Sequence, residues 1–359
     1  EMATSSGYQV IVGGLGALGR TLQKSLLQNG KSKVRIVDIA PPDVAAKRLF
    51  HPSIEYLRIS PHGSDTDFSS LCTAFRDAET VYSVATGDVL TGTAADMYNT
   101  NVLGIRQLLS ACERVGIPKL IHASSMGVTN QLLDHDNEDE TTPLPPWETY
   151  QCAYDLSKRH GEDLVVKATS PNFQTGILRL GTILGGTSDY MIRAALLSRP
   201  GTVMTNRRQP CDLISSWDIS RAMIAMNDKL DASDNRISGK PLFVTKCKGG
   251  QPAGTHEVGA LYAEHLGWKL LETPDWLIHA LQYGFSSWDA VKSKLVPPTP
   301  ENTAAFPFHL QLQSGKNRLT FNNKLAHELL DWKPEETWVD AVKRISMEFR
   351  EEYPQYKYR

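Results

Sequence analysis

Few cysteines occur in this sequence, and none of them forms a closely spaced pair. Five cysteines are spread over 359 residues and stand at Cys72, Cys112, Cys152, Cys211 and Cys247. An odd number at such wide spacing disfavours both a disulfide framework and a zinc site. We therefore predict no metal site and expect a reducing compartment.

Long apolar runs and an excess of one charge are also missing. No run approaches the roughly 20 residues that a membrane-spanning helix needs, and the start of the chain shows no secretory signal. The 38 Lys and Arg residues nearly balance the 40 Asp and Glu residues, which gives a net charge of -2. Because nucleic-acid binding relies on neutralising phosphates, this balance argues against a nucleic-acid partner. We expect a cytoplasmic protein that binds a small molecule.

The first half of the chain alternates short β-branched runs with longer helical patterns. Strands are predicted at residues 8–12, 34–37, 56–59, 81–84, 120–123 and 173–180, and helices at 18–27 and 103–115. Repeats of strand, helix and strand need crossover connections, which give a parallel sheet covered by helices on both faces. The predicted fold class is therefore α/β, a doubly wound parallel sheet with a smaller, mostly helical C-terminal lobe.

Two segments of unusual composition receive a structural interpretation. Residues 134–140 carry five carboxylates, and because clustered like charges are usually solvated, they predict a solvated loop rather than a cation site. Residues 276–291 place apolar side chains close to one helical face, although Gly284 interrupts it. Such a face usually packs in a core, so core packing is favoured over a membrane or substrate surface.

A glycine-rich turn follows the first predicted strand and opens the first helix. Its spacing is G-x-x-G-x-x-G, from Gly13 through Gly16 to Gly19. In such a turn the first glycine allows a tight bend, the second lets the backbone approach a pyrophosphate, and the third lets the helix pack on the strand. Asp38 ends the second strand 19 residues after Gly19, where a carboxylate can bind ribose hydroxyls. The pattern predicts a dinucleotide site.

Asp38 also indicates which dinucleotide is bound. A carboxylate at this position repels the 2′-phosphate of NADP. The residues that follow, Ile39, Ala40 and Pro41, supply no arginine that would receive such a phosphate. The sequence therefore favours NAD over NADP.

Candidate catalytic residues follow in the fourth and fifth strand–helix units. Tyr154 and Lys158 are four residues apart on a predicted helix, so the phenol and the ammonium share one face. A lysine cation and an oxidised nicotinamide both favour the phenolate, which makes Tyr154 the candidate general base. Ser125 leaves the carboxyl edge of the fifth strand, where open α/β sheets bind ligands, and its hydroxyl is a candidate partner of the substrate oxygen. Asn101 is a candidate for a water-linked proton relay to Lys158.

These motifs, in this order, resemble the extended branch of the short-chain dehydrogenase/reductase superfamily. The glycine turn, the Tyr-x-x-x-Lys pair, the serine 29 residues before the tyrosine and an Asn-Val-x-Gly helix all match. Residues 11–16, residues 34–39 and the long helical C-terminal region look most like the 3β-hydroxysteroid dehydrogenase and 4-carboxysterol 3-dehydrogenase group. Two features depart from the pattern. Leu180 replaces the usual proline, and the motif that supplies an aspartate beside the adenine is blurred, with Asp65 as its candidate.

The resemblance implies a Rossmann-type fold that binds NAD. The NAD-binding domain would comprise residues 1–182 and 212–247, and the substrate-binding lobe residues 183–211 and 248–359. A homodimer through the helices at 103–115 and 154–167 is also implied. The catalytic residues would be Ser125, Tyr154, Lys158 and Asn101. The cofactor-binding residues would be Gly13, Gly16, Leu18, Gly19, Asp38, Asp65, Ala85, Tyr154 and Lys158.

The sequence thus predicts an NAD-dependent oxidoreductase that moves a hydride between a secondary alcohol or ketone and the nicotinamide. The apolar segments 276–288 and 304–308, together with the resemblance, favour a hydrophobic sterol, terpenoid or polyketide-like substrate. A sugar-nucleotide epimerase or dehydratase is an alternative, since basic side chains that could bind a second diphosphate are present. These side chains are Arg193, Arg199, Arg207, Arg208 and Lys240. A non-redox isomerase or cyclase and an NAD-sensing regulator are further alternatives on the same fold.

Overall fold

The alternating pattern of the first half produces strands and helices close to the predicted places. The computed structural model describes residues 7–31, 33–60, 62–63, 65–186, 190–198, 201–205, 209–231 and 236–354. The strands are β1 (Tyr8–Val12), β2 (Val34–Asp38), β3 (Glu55–Arg58), β4 (Ala78–Ser83), β5 (Lys119–Ser125), β6 (His135–Glu138), β7 (Gln174–Leu180), β8 (Thr182–Leu184), β9 (Thr202–Thr205), β10 (Leu213–Ser215), β11 (Pro241–Val244), β12 (Lys269–Glu272) and β13 (Leu319–Phe321).

Helices follow most of these strands. The α-helices are α1 (Ala17–Gln28), α2 (Pro42–Arg48), α3 (Asp65–Ala74), α4 (Ala94–Tyr98), α5 (Gly104–Val115), α6 (Ala153–Ala168), α7 (Tyr190–Ser198), α8 (Ser216–Asp231), α9 (Thr255–Leu266), α10 (Asp275–Leu295), α11 (Phe308–Ser314), α12 (Lys324–Leu330) and α13 (Trp338–Glu352). A π-helical segment, Asn99–Leu103, joins α4 to α5. Tight 3₁₀ turns lie at Met126–Thr129 and Trp147–Thr149.

Seven strands form one parallel sheet in the order β3, β2, β1, β4, β5, β7, β11. Successive residues of a strand point to opposite faces. Val10 and Leu120 therefore pack on one face with α3, α5 and α6, whereas Ile11 and Ile121 pack on the other face with α1, α8 and α12. The predicted doubly wound parallel sheet is confirmed.

A separate apolar cluster lies outside the central sheet. Helices α7, α9 and α13 pack around side chains that include Ile192, Tyr262 and Phe349. Three pairs of short parallel strands, β8 with β10, β9 with β12 and β6 with β13, accompany the helices. The sequence did not predict most of these strands, since three or four residues are too few for a clear period of two. The mostly helical character of the C-terminal part is confirmed.

Part of the acidic run at residues 134–140 forms a strand, so the predicted loop was wrong there, whereas Asp134 and Asp136 are exposed to solvent, as predicted. The run contributes β6, and Asp134 accepts a 2.6 Å hydrogen bond from the backbone N–H of Arg318. The Asp136 carboxylate lies 3.2 Å from the Arg318 guanidinium. Glu140 is partly buried and accepts a 2.7 Å hydrogen bond from a backbone N–H of β11. These partners come from distant parts of the chain, which a local charge pattern does not identify.

The apolar face of α10 does not pack in a core, so that prediction was also wrong. Trp276 is 69% exposed, Trp288 61% and Val291 49%. Helix α10 packs on α11 through contacts that include Phe285 with Phe308, and Ile278 is buried. All residues from 283 to 294 are exposed. In the described part of the chain, no helix combines the length and the hydropathy that crossing a membrane requires.

Candidate active site

A cavity of about 1100 Å³ lies at the carboxyl ends of β1, β4 and β5. Its wall combines the turn after β1, the ends of these strands and the first two turns of α6. Most of the predicted site residues line it. They are Gly13, Gly16, Leu18, Gly19, Asp38, Ala85, Ser125, Tyr154 and Lys158. The fold therefore brings the predicted dinucleotide-binding and catalytic residues to one cavity.

The glycine turn contributes backbone to the cavity wall. Gly13 has a φ of +87°, which glycine adopts readily, and a β-carbon there would lie 2.6 Å from the backbone of Ala85. A β-carbon on Gly19 would collide with the carbonyl oxygen of Gly13. At Gly16 a β-carbon would meet no atom closer than 3.5 Å. Helix α1 begins at the next residue and has no side-chain cap, so its first N–H groups are suited to bind a phosphate.

Asp38 is fixed beside the glycine turn by two hydrogen bonds. Its Oδ2 accepts one of 2.9 Å from the backbone N–H of Leu15, and its Oδ1 accepts one of 3.2 Å from the backbone N–H of Ala40. Arg48 also lines the cavity, and its guanidinium donates to the Leu15 carbonyl at 3.4 Å. Nothing in the three residues after Asp38 predicts this arginine, which comes from the end of α2. The neighbourhood of Asp38 therefore does contain a cation.

Ser125 and Tyr154 meet across the gap between β5 and α6. The Ser125 hydroxyl lies close enough to the Tyr154 hydroxyl to lower the pKa of the phenol. Ser125 Oγ also accepts a 3.0 Å hydrogen bond from the backbone N–H of Gly127. The backbone N–H of Tyr154 donates to the Ala305 carbonyl at 3.2 Å, and the next residue, Phe306, lines the cavity. A segment of the C-terminal part of the chain thus holds the start of α6 in place.

The protonation of this site differs from the sequence-based expectation. Burial raises the pKa of Tyr154 to about 12, although the hydrogen bond with Ser125 lowers it. Burial lowers the pKa of Lys158 to about 8. The expected lowering of the Tyr154 pKa by Lys158 is not found, and the Lys158 ammonium donates a 3.1 Å hydrogen bond to the Ala123 carbonyl. The protein groups alone therefore keep Tyr154 protonated at neutral pH.

His122 also lies close to Lys158 but is unsuited to proton transfer. Burial, together with the charge of Lys158, lowers its pKa to about 3. Its Nδ1 lies 3.2 Å from Ser83 Oγ on the neighbouring strand. The neutral imidazole is therefore part of the sheet interior.

Two of the predicted site residues, Asn101 and Asp65, are not among the described residues that line the cavity. Asn101 is buried in the π-helical segment, and its Nδ2 donates a 2.9 Å hydrogen bond to Ser157 Oγ. Ser157 Oγ in turn donates to the Tyr154 carbonyl at 2.9 Å. Asn101 therefore contacts the helix that carries Tyr154 and Lys158, from behind the cavity. Asp65 begins α3, and its side chain lies outside the described part of the structure.

A buried ion pair supports the end of β5 below Ser125. The Arg179 guanidinium lies 2.7 Å from a carboxylate oxygen of Glu162, and both side chains are buried. Ser124 Oγ donates a 2.6 Å hydrogen bond to the same carboxylate. Because Ser124 and Arg179 are register partners on β5 and β7, the pair links α6 to both strands. This arrangement connects α6, which carries Tyr154, to β5, which ends at Ser125.

A second buried carboxylate, which the sequence analysis missed, lies directly beside Tyr154. Asp155 is 1% exposed, and its carboxylate accepts hydrogen bonds from the backbone N–H of Gln131 at 3.1 Å and from its side-chain amide at 2.7 Å. The Gln131 carbonyl accepts a 3.2 Å hydrogen bond from Asn317. Gln131 and Asn317 both line the cavity. Asp155 thus connects the catalytic helix to the cavity wall.

We expect Asp155→Asn to raise KM for the alcohol substrate about tenfold, since a buried N–H left without its acceptor costs about 1–3 kcal/mol. Gln131 donates to both carboxylate oxygens, and an asparagine would place its NH2 group, itself a donor, against one of the two N–H groups. The affinity for NADH, measured by fluorescence titration, should stay within about twofold of the wild type. Asp163→Asn on the same helix is the matched control, because the Asp163 side chain is 40% exposed and pairs with exposed Lys167. An equal loss of NADH affinity and substrate affinity would contradict this positioning role.

The same variant should change how stability depends on pH. Burial raises the pKa of Asp155 to about 7, so the folded chain binds this proton more tightly than the unfolded chain does. Stability contributed by the protonated carboxyl is therefore lost as the pH rises from about 4 to 7. Asparagine has no such proton, and urea unfolding of Asp155→Asn should show a smaller decline over this window. An equal decline in both proteins would argue against a raised pKa.

The rest of the cavity wall is mostly apolar, with one ion pair. Apolar side chains that line it include Val89, Leu90, Met191, Val258 and Phe306. Arg193 on α7 lies 2.5 Å from the Asp88 carboxylate, and both residues line the cavity. Although burial raises the pKa of Asp88, hydrogen bonds from Arg193 and Thr91 lower it overall. The charge of Arg193 is thus already balanced within the protein.

Comparison with known proteins gives matches to one family over most of the chain. The sequence profile of the 3-beta hydroxysteroid dehydrogenase/isomerase family matches residues 10–269. The chain is 26% identical over 246 residues to the decarboxylating sterol-4-alpha-carboxylate 3-dehydrogenase of Saccharomyces cerevisiae, covering 66% of this chain and 70% of that protein. It is 29% identical over 202 residues to 3beta-hydroxysteroid-dehydrogenase/decarboxylase isoform 1 of Arabidopsis thaliana, covering 54% of this chain and 45% of that protein. The match thus spans less than half of the Arabidopsis relative.

Solved structures share the fold at low sequence identity. UDP-glucuronic acid 4-epimerase of Bacillus cereus, solved with UDP-glucuronic acid and NAD, superposes with a TM-score of 0.68 and 18% identity over 96% of this chain and 99% of that one. A dTDP-glucose 4,6-dehydratase of Streptomyces venezuelae, solved with NAD bound, gives a TM-score of 0.69 and 14% identity over 97% of this chain and 98% of that one. The resemblance of the sequence to the extended short-chain dehydrogenase/reductases is confirmed.

Proposed function

Because the chain belongs to the 3-beta hydroxysteroid dehydrogenase/isomerase family, we propose that it is an NAD-dependent oxidoreductase acting on the CH–OH group of a hydrophobic, sterol-like substrate. One observation carries the proposal. Ser125, Tyr154 and Lys158 line the same cavity as the glycine turn and Asp38. A binding protein without catalysis would not need this combination of residues.

The residues present fit a dinucleotide. The open space at Gly16 and the uncapped start of α1 suit a pyrophosphate, and the carboxylate of Asp38 suits ribose hydroxyls. The similar folds of the two solved enzymes with NAD bound support this choice of cofactor. When bound, NAD supplies the nicotinamide carbon that accepts the hydride.

The proposed mechanism assigns one task to each polar group. The Ser125 hydroxyl and the phenolate oxygen of Tyr154 bind the substrate hydroxyl, and the phenolate removes its proton as the alcohol becomes a ketone. Because burial raises the pKa of Tyr154, a positive charge must be brought close to it before the phenolate becomes accessible. In this proposal Lys158, which lines the cavity, supplies part of that charge and binds the nicotinamide ribose. Asn101, through Ser157, positions the helix that carries both residues.

The cavity wall supports a hydrophobic substrate. Its lining includes Met191, Val258 and Phe306, and two relatives are named for action on sterols or steroids. In this proposal the lobe formed by residues 183–211 and 248–359 holds the substrate, and residues 1–182 and 212–247 hold NAD. The homodimer through α5 and α6 and the cytoplasmic location remain predictions.

A sugar-nucleotide substrate is a second candidate, because solved enzymes of that class share the fold. Such a substrate needs cations for its diphosphate. Of the side chains proposed from the sequence, Arg193 pairs with Asp88, and Lys240 is not part of the cavity wall in the described structure. Arg199, Arg207 and Arg208 lie outside the described residues. The described part of the cavity thus favours the hydrophobic substrate.

The test is the reduction of NAD, followed by NADH absorbance, with matched sets of 3β-hydroxysteroids, terpenoid alcohols and sugar nucleotides. The proposal expects turnover with hydroxysteroids and none with sugar nucleotides. Turnover with sugar nucleotides alone would establish the second candidate. NAD binding without turnover of any substrate would favour a regulator, and conversion of substrate without a change in NADH would favour an isomerase or cyclase.

A further inference from the structure

A second pocket, of about 390 Å³, lies apart from the catalytic cavity. Three segments form its wall: the loop after β11 (residues 246–250), the start of α12 with the two residues before it (between 322 and 327), and the residues just after α12 (333–334). No described residue lines both this pocket and the catalytic cavity. The proposed function therefore gives the second pocket no role.

The wall of this pocket carries a concentration of positive charge. Four lysines line it, and no carboxylate is among the described residues of the wall. The lysines are Lys246, Lys248, Lys324 and Lys333, and we call the site the lysine pocket. Because like charges repel, ammonium groups brought together from separate segments favour the binding of an anion between them.

The two glutamates that follow the lysine pocket in the chain are bound elsewhere. Glu335 lies 2.6 Å from the guanidinium of Arg221, and Glu336 lies 2.8 Å from that of Arg344. These carboxylates therefore already have cationic partners outside the pocket and do not need its lysines.

The lysines themselves keep most of their charge available. Within the described residues, no carboxylate pairs with Lys248 or Lys333. Lys246 donates a 3.2 Å hydrogen bond to a side-chain amide oxygen, which is neutral. Lys324 lies 3.8 Å from Glu328, but both side chains are exposed, and such a surface pair is weak. The pocket thus has a net positive charge.

A buried amide in the wall lacks a hydrogen-bond partner. Asn323 is 4% exposed, and its Oδ1 accepts hydrogen bonds from the backbone N–H of Thr245 at 3.1 Å and from the Thr245 hydroxyl at 2.9 Å. Its Nδ2 has no partner in the described structure. Because the two polar atoms of an amide point in different directions, this donor is not turned toward Thr245. Buried donors are nearly always paired, so an unpaired one beside four lysines indicates an anionic acceptor.

The loop after β11 leaves room for such an anion. Gly249 and Gly250 have φ values of +87° and +66°, which glycine adopts readily. A β-carbon on Gly249 would meet no other atom within 4 Å. The backbone here is therefore not covered by side chains, which allows a phosphate to approach it closely.

The composition of the wall indicates the class of anion. A lysine ammonium is a point charge that binds phosphate well and lacks the planar fork with which arginine matches a carboxylate. A single anionic group cannot contact lysines from three segments at once, whereas two linked phosphates reach more of the wall. We propose that the lysine pocket binds a small molecule that carries a diphosphate group. This binding is independent of the proposed function.

The test is calorimetric titration of the NAD-saturated protein with inorganic pyrophosphate at low salt. Saturation with NAD keeps the probe away from the phosphate site at the start of α1. We expect saturable binding of one pyrophosphate per chain, at least about tenfold tighter than that of inorganic phosphate. ADP, titrated in the same way, distinguishes a nucleoside diphosphate from the bare anion as the source of the diphosphate group.

Two variants locate the binding. Lys248→Gln with Lys333→Gln should weaken it at least about tenfold, since two charged donors are lost. Asn323→Asp should weaken it by a similar factor. This substitution keeps an oxygen for the hydrogen bonds from Thr245 and replaces the unpaired donor with a negatively charged oxygen. Thermal unfolding of both variants checks that the chain is folded.

Lys269→Gln with Lys343→Gln is the matched control, since both lysines are exposed and neither lines the pocket. This variant removes the same charge and should bind pyrophosphate as the wild type does. Absence of saturable binding by the wild type, with pyrophosphate and with ADP, would overturn the proposal. So would unchanged binding by the Lys248 and Lys333 variant, or an equal loss in the control, which would show attraction by the overall charge alone.

Discussion

Tyr154→Phe is expected to lower kcat for alcohol oxidation by about 10²–10⁴, the range that a positioned general base contributes. The substitution removes the phenol oxygen, which in its phenolate form takes the substrate proton. It leaves the ring, which is partly buried beside Phe306. Affinity for NADH should be nearly unchanged, because the glycine turn and Asp38 are untouched. Single-turnover measurements with the best hydroxysteroid would separate the chemical step from product release.

Tyr150→Phe is the matched control for this variant. Its hydroxyl donates to the Val128 carbonyl and accepts from Arg159, and it does not contribute to the described cavity wall. The loss of these bonds should reduce the free energy of unfolding by about 1 kcal/mol and change kcat by less than about threefold. If Tyr154→Phe kept the turnover of the wild type, Tyr154 would not be the general base.

The pH dependence gives a second measurement on the same pair of proteins. Burial raises the pKa of Tyr154, so the phenolate fraction increases with pH across the neutral and mildly alkaline range. The oxidation rate of the wild type should therefore rise with pH, by up to tenfold per unit. Tyr154→Phe should lose this rise. A residual slope of equal size in the variant would assign the titration to another group.

The sequence predicted the parts of the site whose positions follow from the order of strands and helices. In a doubly wound sheet the turn after β1, the end of β2 and the end of β5 must reach one edge. Gly13, Asp38 and Ser125 therefore come together once the strands are identified. To predict that Tyr154 and Lys158 lie on one face, it is enough to predict a helix there, because residues four apart on a helix share a face.

What the sequence did not predict depends on contacts between distant segments. The role of Gln131 depends on its hydrogen bond to Asp155. Arg48 lines the cavity because α2 folds back toward the glycine turn. The exposure of α10 has the same origin. A periodic apolar pattern shows which side chains share a face, but not whether another part of the chain covers that face. Trp288 is 61% exposed and Ile278 is buried on the same helix, and the local sequence does not distinguish them.

Asp38→Ala combined with Ile39→Arg is expected to lower the ratio of kcat/KM for NAD to that for NADP by about 10²–10⁴. The carboxylate can accept two hydrogen bonds from ribose hydroxyls, and bonds to a charged group are worth about 1.5–3 kcal/mol each. The new guanidinium can pair with the 2′-phosphate. Arg48, already in the cavity wall, adds a second cation. Initial rates with both cofactors, at saturating hydroxysteroid, give the ratio directly.

Two further variants distinguish the effect of the Asp38 charge on cofactor choice from the effect of its hydrogen bonds to the backbone. Asp38 also anchors the backbone of Leu15 and Ala40, so Asp38→Ala loosens the glycine turn, whereas Asp38→Asn keeps one acceptor and removes the charge. If repulsion of the 2′-phosphate sets the preference, Asp38→Asn should gain NADP activity and lose less thermal stability than Asp38→Ala, because one of the two acceptor oxygens remains. Adding Arg48→Ala to the double variant should then reduce NADP activity, because one of the two cations is gone. An unchanged preference for NAD in the double variant would remove Asp38 from cofactor selection and leave it the task of holding the glycine turn.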